Sequence, residues 1–198
     1  MSDLHCPATV LVARHGEAEY ESDLLSDAGG SLTVEGRSQS AALAGSMAVE
    51  NVALVYCSPL SRAVQTAEIV AASLGCAVRV REAFAELSVG DHAGQPESAQ
   101  PLVPVFERWR ACDLGAGVPG SESGDQVIAR VRAGLGEIAD LHRGETVLVV
   151  SHGWVMELVL PHLANEHGYG QPLPSRRAVR MSVDADGWRC AGWPTDDP

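Results

Sequence analysis

The chain has 198 residues and a formal net charge of −12, from 26 acidic and 14 basic side chains. Every basic residue is an arginine, so lysine chemistry is excluded and any anion site must use arginine, histidine or backbone amides. An acidic surface repels polyanions, which argues against binding to nucleic acids or acidic membranes. The 45% hydrophobic content is typical of folded proteins, and the length predicts a single domain over residues 1–198.

The five cysteines form no C-x-x-C pair, which argues against a disulfide framework and indicates reduced thiols. Residues 1–7 lack the basic segment that begins a signal peptide. The most apolar stretch, Val147–Leu163, is interrupted by polar residues and a proline, so no membrane span is predicted. We therefore expect a cytoplasmic protein. The sequence does not indicate an oligomeric state.

Short aliphatic runs predict four buried strands, at Ala8–Ala13, Val52–Cys57, Ala77–Val80 and Thr146–Val150. Thr33 is a good N-cap for a helix after the first strand. Pro59 is suited to the start of a second helix over Leu60–Leu74, and Gly153–Leu160 predicts another after the fourth strand. This alternation predicts an α/β fold, a three-layer α/β/α sandwich with a mainly parallel central sheet.

Two later segments depart from the alternation. Residues 82–123 are rich in glycine and proline around one helical patch near Val103–Cys112. We interpret them as a short helical insertion over the carboxyl edge of the sheet, where open α/β sheets bind ligands. Ala178–Val183 and Trp188–Cys190 predict a hairpin at the sheet edge, with Asp184–Gly187 as its turn.

The candidate functional residues follow predicted strands. Arg14 and His15 directly follow the first strand, and His152 directly follows the fourth. If those strands are neighbours, the two imidazoles converge in one pocket. Arg62 lies just after another strand end, and Glu86 in the following loop is a candidate proton donor.

This set of residue types suits phosphoryl transfer. A neutral imidazole can attack phosphorus, and arginine matches phosphate oxygens with planar, bidentate donors. A second histidine can stabilise developing charge, and a carboxylic acid can protonate the departing alkoxide. Zinc is the rival use of two histidines, but no H-x-x-x-H pattern or cysteine pair is present and adjacent arginine disfavours a cation. We therefore predict no metal and no cofactor.

Further residues are weaker candidates. Asp91 is an alternative to Glu86 as the proton donor, because it lies in the same loop. Glu17, His92, Arg108 and Gly153 are possible substrate contacts. The tryptophans are expected in the core or at interfaces rather than around a ligand.

Several blocks of sequence together resemble the histidine phosphatase (phosphoglycerate mutase-like) superfamily. These blocks are Arg14-His15-Gly16-Glu17, Leu32-Thr33 with Gly36, Ser58-Pro59-Leu60 with Arg62, Glu86–Gly90, Gly120–Ser123 and Ser151-His152-Gly153. The resemblance implies that His15 is the phosphorylated nucleophile and that Arg14, Arg62 and His152 hold the phosphoryl group. It also implies that Glu86 protonates the leaving group and then activates water.

The sequence departs from the mutase members of that family. They have threonine and asparagine where this chain has Ala18 and Glu21, and the insertion offers only Arg108 and Arg110 as cations. A mutase must hold a phosphorylated product tightly, so we favour the phosphatase branch and a small, modestly charged phosphorylated metabolite as substrate. A phosphoglycerate mutase-type phosphomutase and a catalytically inactive phospholigand-binding module are the alternatives.

Overall fold

The computed structural model describes residues 6–20, 22–164, 178–184 and 187–191. The strands in chain order are β1 (Ala8–Arg14), β2 (Ala18–Glu19), β3 (Ser31–Leu32), β4 (Val52–Cys57), β5 (Ala77–Val80), β6 (Thr146–Ser151), β7 (Ala178–Asp184) and β8 (Gly187–Cys190). The α-helices are α1 (Val34–Met47), α2 (Ser61–Leu74), α3 (Val103–Arg110), α4 (Gly124–Leu141) and α5 (Gly153–Ala164).

One six-stranded sheet has the strand order β5-β4-β6-β1-β7-β8. The first four of these strands are parallel, while β7 is antiparallel to β1 and β8 is antiparallel to β7. The predicted hairpin at the sheet edge is therefore confirmed, although residues 185 and 186 of its turn lie outside the described part. Strands β2 and β3 form a separate antiparallel pair.

The central strands are buried on both faces. In β1, Val10 and Val12 belong to one hydrophobic cluster and Leu11 and Ala13 to another. The first cluster includes residues of α3, α4 and α5, and the second includes residues of α1 and α2. Helices thus cover both faces of a mostly parallel sheet, which confirms the predicted three-layer architecture.

The helix boundaries follow the predicted capping only in part. Thr33 caps α1 by accepting a hydrogen bond from the backbone N–H of Gly36 at 2.9 Å, as predicted. Pro59 precedes the N-cap of α2, which is Leu60, rather than beginning the helix. Helix α5 continues through Pro161 to Ala164, although the proline has no backbone N–H for a helical hydrogen bond.

Helix α4 is not among the elements predicted from the sequence, although its start carries a readable pattern. Ser123 and Gln126 form a capping box, in which each side chain accepts a hydrogen bond from the other residue's backbone N–H. The apolar positions Val127, Val131 and Leu135 recur at helical spacing and are buried.

The insertion lies over the carboxyl edge of the sheet, as predicted. Its one α-helix, α3, ends at Arg110, and the rest consists of short 3-10 turns and loops. Backbone hydrogen bonds tie it to the segment after β2: Leu25 N–H donates to Gln95 O at 2.9 Å, and Gly94 N–H donates to Leu25 O at 2.9 Å.

Within the described residues, no helix is long and apolar enough to cross a membrane.

Candidate active site

Neighbouring strands bring the two histidines together. Strand β1 pairs with β6 so that Arg14 lies opposite Ser151, and the backbone N–H of His15 donates to Ser151 O at 3.0 Å. The ring centroids of His15 and His152 are 5.0 Å apart, with an interplanar angle of 60°. The expectation that these imidazoles converge is therefore met.

His15 is a buried, neutral imidazole with a defined tautomer. Its Nδ1 lies 2.7 Å from the carbonyl oxygen of Gly16, which can only accept, so the ring proton is on Nδ1. Nε2 then carries the lone pair, and Arg62 Nε–H donates to it at 3.1 Å. Burial lowers the pKa of His15 to about 3, and the charges of Arg62 and Arg14 act in the same direction.

Gly16 is required by the close approach of two backbone segments. A Cβ at this position would lie 2.4 Å from the carbonyl oxygen of Gly36, at the first turn of α1. The N–H of Gly16 donates to Thr66 Oγ1 at 3.1 Å, on helix α2. The carbonyl that orients His15 is thus fixed by two helices.

Ser58 determines the tautomer of His152. Its Oγ lies 2.7 Å from His152 Nε2 and accepts a hydrogen bond from the backbone N–H of Leu60 at 3.2 Å. Both side chains are fully buried, and since Leu60 donates to the serine oxygen, His152 Nε2 is the partner among the described residues that is left for the hydroxyl proton. The hydroxyl therefore donates to Nε2, which places the ring proton on Nδ1. Burial, with the neighbouring His15 and Arg62, holds the pKa of His152 well below its usual value.

Three buried N–H donors in this site have no hydrogen-bond partner among the described residues. They are Arg14 Nε, Arg62 Nη1 and His152 Nδ1. Helices α2 and α5 also begin at this edge, and their N-termini favour negative charge. Unpaired buried donors are costly, so this arrangement suits an anion with several acceptor oxygens.

Glu86 adds a carboxyl group that is a weaker acid than usual. Its Oε2 lies 3.9 Å from His152 Nδ1, and its Oε1 accepts from the backbone N–H of Leu87 at 3.1 Å. Burial raises the pKa of Glu86 to about 7, and this effect outweighs the opposing effects of that N–H and of Arg62 and Arg14. Near neutral pH the group can therefore both give and take a proton.

Distant side chains hold the Glu86 loop in place. Ser151 Oγ–H donates to Phe84 O at 2.9 Å, and Arg130 Nη1–H donates to Ala83 O at 2.9 Å. Arg130, on α4, also pairs with Glu122 at 2.7 Å. On the other side of Glu86, Asp27 accepts from the backbone N–H of Val89 at 2.7 Å. No sequence pattern indicates Arg130 or Asp27, because both act through tertiary contacts.

A cavity of about 360 Å³ opens beside Arg62 and Glu86. The segment after β2, the Glu86 loop and helices α3 and α5 contribute to its wall. Trp154 lines it with 41% of its surface exposed, so this tryptophan does not lie in the core. Trp109, in contrast, is buried in the core, as expected.

Two of the weaker candidates lie in the insertion away from this cavity. Asp91 is exposed, and its carboxylate lies beside Gly120, where an added Cβ would be 2.3 Å from Oδ1, so the structure does not support it as the proton donor. Arg108 is exposed and donates from Nε and Nη2 to Asp113 at 2.8 and 2.6 Å. Neither residue lines the cavity, because local contacts direct both side chains elsewhere.

Of the other weaker candidates, two lie away from the cavity and one lies at the site. His92 is half-buried and Glu17 is exposed, and neither lines the cavity. The carboxylate of Glu17 instead accepts from Thr33 Oγ1 at 2.8 Å, at the start of α1. Gly153 does lie at the site, where a Cβ would be 3.3 Å from Arg14 Nε. Glu21, the departure from the mutase pattern, lies outside the described residues.

No group of three or more His, Cys, Asp or Glu side chains in the described part of the chain could hold a metal ion.

The chain is similar to known proteins over most of its length. Residues 10–195 match the model of the histidine phosphatase superfamily (branch 1). The chain is 27% identical to a probable phosphoglycerate mutase GpmB of Photorhabdus laumondii, over 93% of this chain and 89% of that protein. YhfR of Bacillus stearothermophilus superposes with a TM-score of 0.80 at 26% identity, covering 93% and 95% of the two chains.

A mycobacterial glucosyl-3-phosphoglycerate phosphatase has the same fold, with a TM-score of 0.78 at 24% identity and coverage of 94% and 98%. The match of the family model over nearly the whole chain, with two histidines and two arginines together at the carboxyl edge of the sheet, identifies the chain as a member of the histidine phosphatase superfamily.

Proposed function

We propose that the chain hydrolyses phosphomonoesters through a phosphohistidine at His15, without a metal ion. The observation that carries this proposal is the lone pair on His15 Nε2, which lies beside three buried donors without partners: Arg14 Nε, Arg62 Nη1 and His152 Nδ1. A phosphoryl group offers three oxygens to such donors and an electrophilic phosphorus to the lone pair.

In the first step, Nε2 of His15 attacks phosphorus and the bond between phosphorus and the ester oxygen breaks. The electron pair of that bond goes to the leaving oxygen, which takes the proton of the Glu86 carboxyl group. Arg62 transfers its donors from His15 to the phosphoryl oxygens. The raised pKa of Glu86 keeps a substantial fraction of this group protonated near pH 7.

In the second step, the Glu86 carboxylate takes a proton from water while the water oxygen attacks phosphorus. The bond between His15 Nε2 and phosphorus breaks, and its electron pair returns to the nitrogen. Inorganic phosphate leaves, and Glu86 is protonated again for the next cycle. Because the Nδ1 proton of His15 stays bound to Gly16 O, the ring leaves as a neutral imidazole and not as an imidazolide anion.

A phosphomutase is the second candidate, because several relatives carry the name of a probable phosphoglycerate mutase. The composition of the cavity favours the phosphatase instead. Glu82 and Glu97 line it, and Arg62 is its one cation among the described residues. These carboxylates repel the second anionic group that a phosphoglycerate or a bisphosphorylated intermediate carries.

The test is a panel of phosphomonoesters with released phosphate as the readout, in the presence of EDTA. We expect turnover by the wild-type protein, none by His15→Ala, and unchanged turnover by Arg108→Ala as the matched control. ³¹P NMR after an alkaline, denaturing quench, in which the N–P bond is stable, should detect phospho-His15 that decays within the turnover time. A phosphoenzyme that persists in water indicates the mutase, and turnover that survives His15→Ala or is abolished by EDTA contradicts the proposal.

A further inference from the structure

A stacked aromatic pair forms one wall of the cavity. The rings of Phe106 and Trp154 are parallel within 4°, with centroids 3.7 Å apart. Trp109 packs edge-on against Phe106 at 5.2 Å, and its Nε1–H is fixed by Ala116 O at 2.8 Å. Phe106 is buried, whereas Trp154 keeps 41% of its surface exposed. The pair is therefore a rigid aromatic surface with an uncovered part at the cavity.

This surface is adjacent to the phosphoryl-binding residues. Trp154 follows His152 by two residues in the first turn of α5, and both Arg62 and Glu86 line the same cavity. A leaving group that departs past the Glu86 carboxyl group therefore enters the space bounded by Trp154. Its volume of about 360 Å³ accommodates one or two fused rings.

The charged groups of the cavity select against further anions. Glu82 and Glu97 line it, and both are exposed. Asp27 lines it as well, with its carboxylate accepting from Ser88 Oγ and from the backbone N–H of Val89, each at 2.7 Å. Three carboxylates besides Glu86 thus face a leaving group beyond the phosphoryl site, and a carboxylate or second phosphate on that group is repelled.

Building on the phosphatase function proposed above, we propose that the substrate is the phosphomonoester of a flat aromatic alcohol that carries no other negative charge. The phosphoryl group occupies the site at His15, and the ring lies against the exposed surface of Trp154. Stacking on an aromatic side chain that is already rigid costs little side-chain entropy.

The experiment compares alkyl-type leaving groups of similar chemical reactivity, so that binding and not bond strength decides the outcome. The substrates are ethyl phosphate, benzyl phosphate, 2-naphthylmethyl phosphate and 4-carboxybenzyl phosphate. We expect kcat/KM to be about tenfold or more higher for benzyl than for 4-carboxybenzyl phosphate. The double variant Glu82→Gln with Glu97→Gln should reduce that ratio.

Variants of Trp154 test the aromatic surface. Trp154→Ala should lower the ratio of kcat/KM for 2-naphthylmethyl over ethyl phosphate about three- to tenfold, and Trp154→Phe should restore most of it. Leu141→Ala, which removes an exposed apolar side chain at the end of α4, is the control and should leave the ratio unchanged. Circular dichroism checks that each variant is folded.

The outcomes separate the two proposals. If the wild-type protein hydrolyses neither the four esters nor any member of the phosphomonoester panel, the phosphatase function itself fails. If it hydrolyses other members of the panel but none of the four esters, only the aromatic substrate class is wrong. If it hydrolyses them but does not discriminate against 4-carboxybenzyl phosphate, or if Trp154→Ala and Trp154→Phe leave the naphthylmethyl preference intact, the aromatic substrate class is wrong while the phosphatase function stands.

Discussion

The hydroxyl of Ser58 lies 2.7 Å from His152 Nε2 and donates to it, so that the proton of this imidazole faces Glu86 from Nδ1. A hydroxyl on one strand end thus decides which nitrogen of a histidine on the neighbouring strand end can act as a donor. This relationship makes Ser58 a positioning residue for the proposed phosphoryl site.

Ser58→Ala should lower kcat/KM for a phosphomonoester about 10- to 100-fold, because His152 loses the partner that fixes its tautomer. Ser46→Ala is the control, since that serine donates to a helix carbonyl, Leu43 O, at 2.7 Å. NMR of ¹⁵N-labelled histidine should show the Nδ1–H form of His152 in the wild-type protein and a mixture of tautomers in Ser58→Ala. An unchanged spectrum in the variant contradicts this role.

The rate of phosphoenzyme formation from an alkyl phosphate should fall as pH rises above about 7. The pKa of Glu86 is raised to about 7, so the proton that the leaving oxygen needs is lost above that pH. His15 has a pKa of about 3 and stays neutral throughout this range. Rapid-quench measurements from pH 5 to 9 check this expectation. In Glu86→Gln the alkaline decrease should disappear and the rate should be low at every pH.

Glu86→Gln should make the protein more stable at pH 8 and leave its stability unchanged at pH 4. The folded state holds the Glu86 proton up to about pH 7, whereas the unfolded chain loses it near its ordinary pKa of 4.5, so stability falls as pH rises between these values. At pH 8 the variant should gain up to about 3 kcal/mol. Thermal unfolding at both pH values measures this, with the exposed Glu107→Gln as control. An equal change at pH 4 and pH 8 contradicts the explanation.

Gly29→Ala should raise the Kd for inorganic phosphate, an effect separate from the loss of folding stability that alanine causes at this position. A Cβ at Gly29 would lie 2.1 Å from Arg62 Nη1, so the guanidinium must move away from its position in the site. Gly75→Ala is a matched control, because its φ of +71° is close to the +69° of Gly29 but its Cβ would contact nothing within 4 Å. Both variants carry the backbone strain of alanine at positive φ, of about 1 kcal/mol. We expect only Gly29→Ala to raise the Kd for inorganic phosphate, by about tenfold or more. Calorimetric titration of both variants checks this, and equal Kd values exclude the steric explanation.

The sequence alone predicts the layers of the fold and the centre of the site, for a local reason. Uninterrupted aliphatic runs such as Thr146–Val150 specify buried strands, and the residues that follow parallel strands necessarily lie at one edge of the sheet. Strand ends therefore place Arg14, His15 and His152 at one edge of the sheet on sequence grounds, and the pairing of β1 with β6 in the structure makes them neighbours. Helix α4 is also readable from its Ser123 capping box, although it is not among the predicted elements.

The tertiary structure alone decides which loop residues take part. Asp91 and Arg108 belong to the same insertion as Glu86, yet local partners turn both away from the cavity. Glu86 reaches His152 because Arg130 and Asp27, which are far apart in the chain, hold its loop on both sides. Strand and helix formation depends on periodic burial that a short segment carries within itself. The path of a loop depends on hydrogen bonds to residues far along the chain, and no local pattern records those partners.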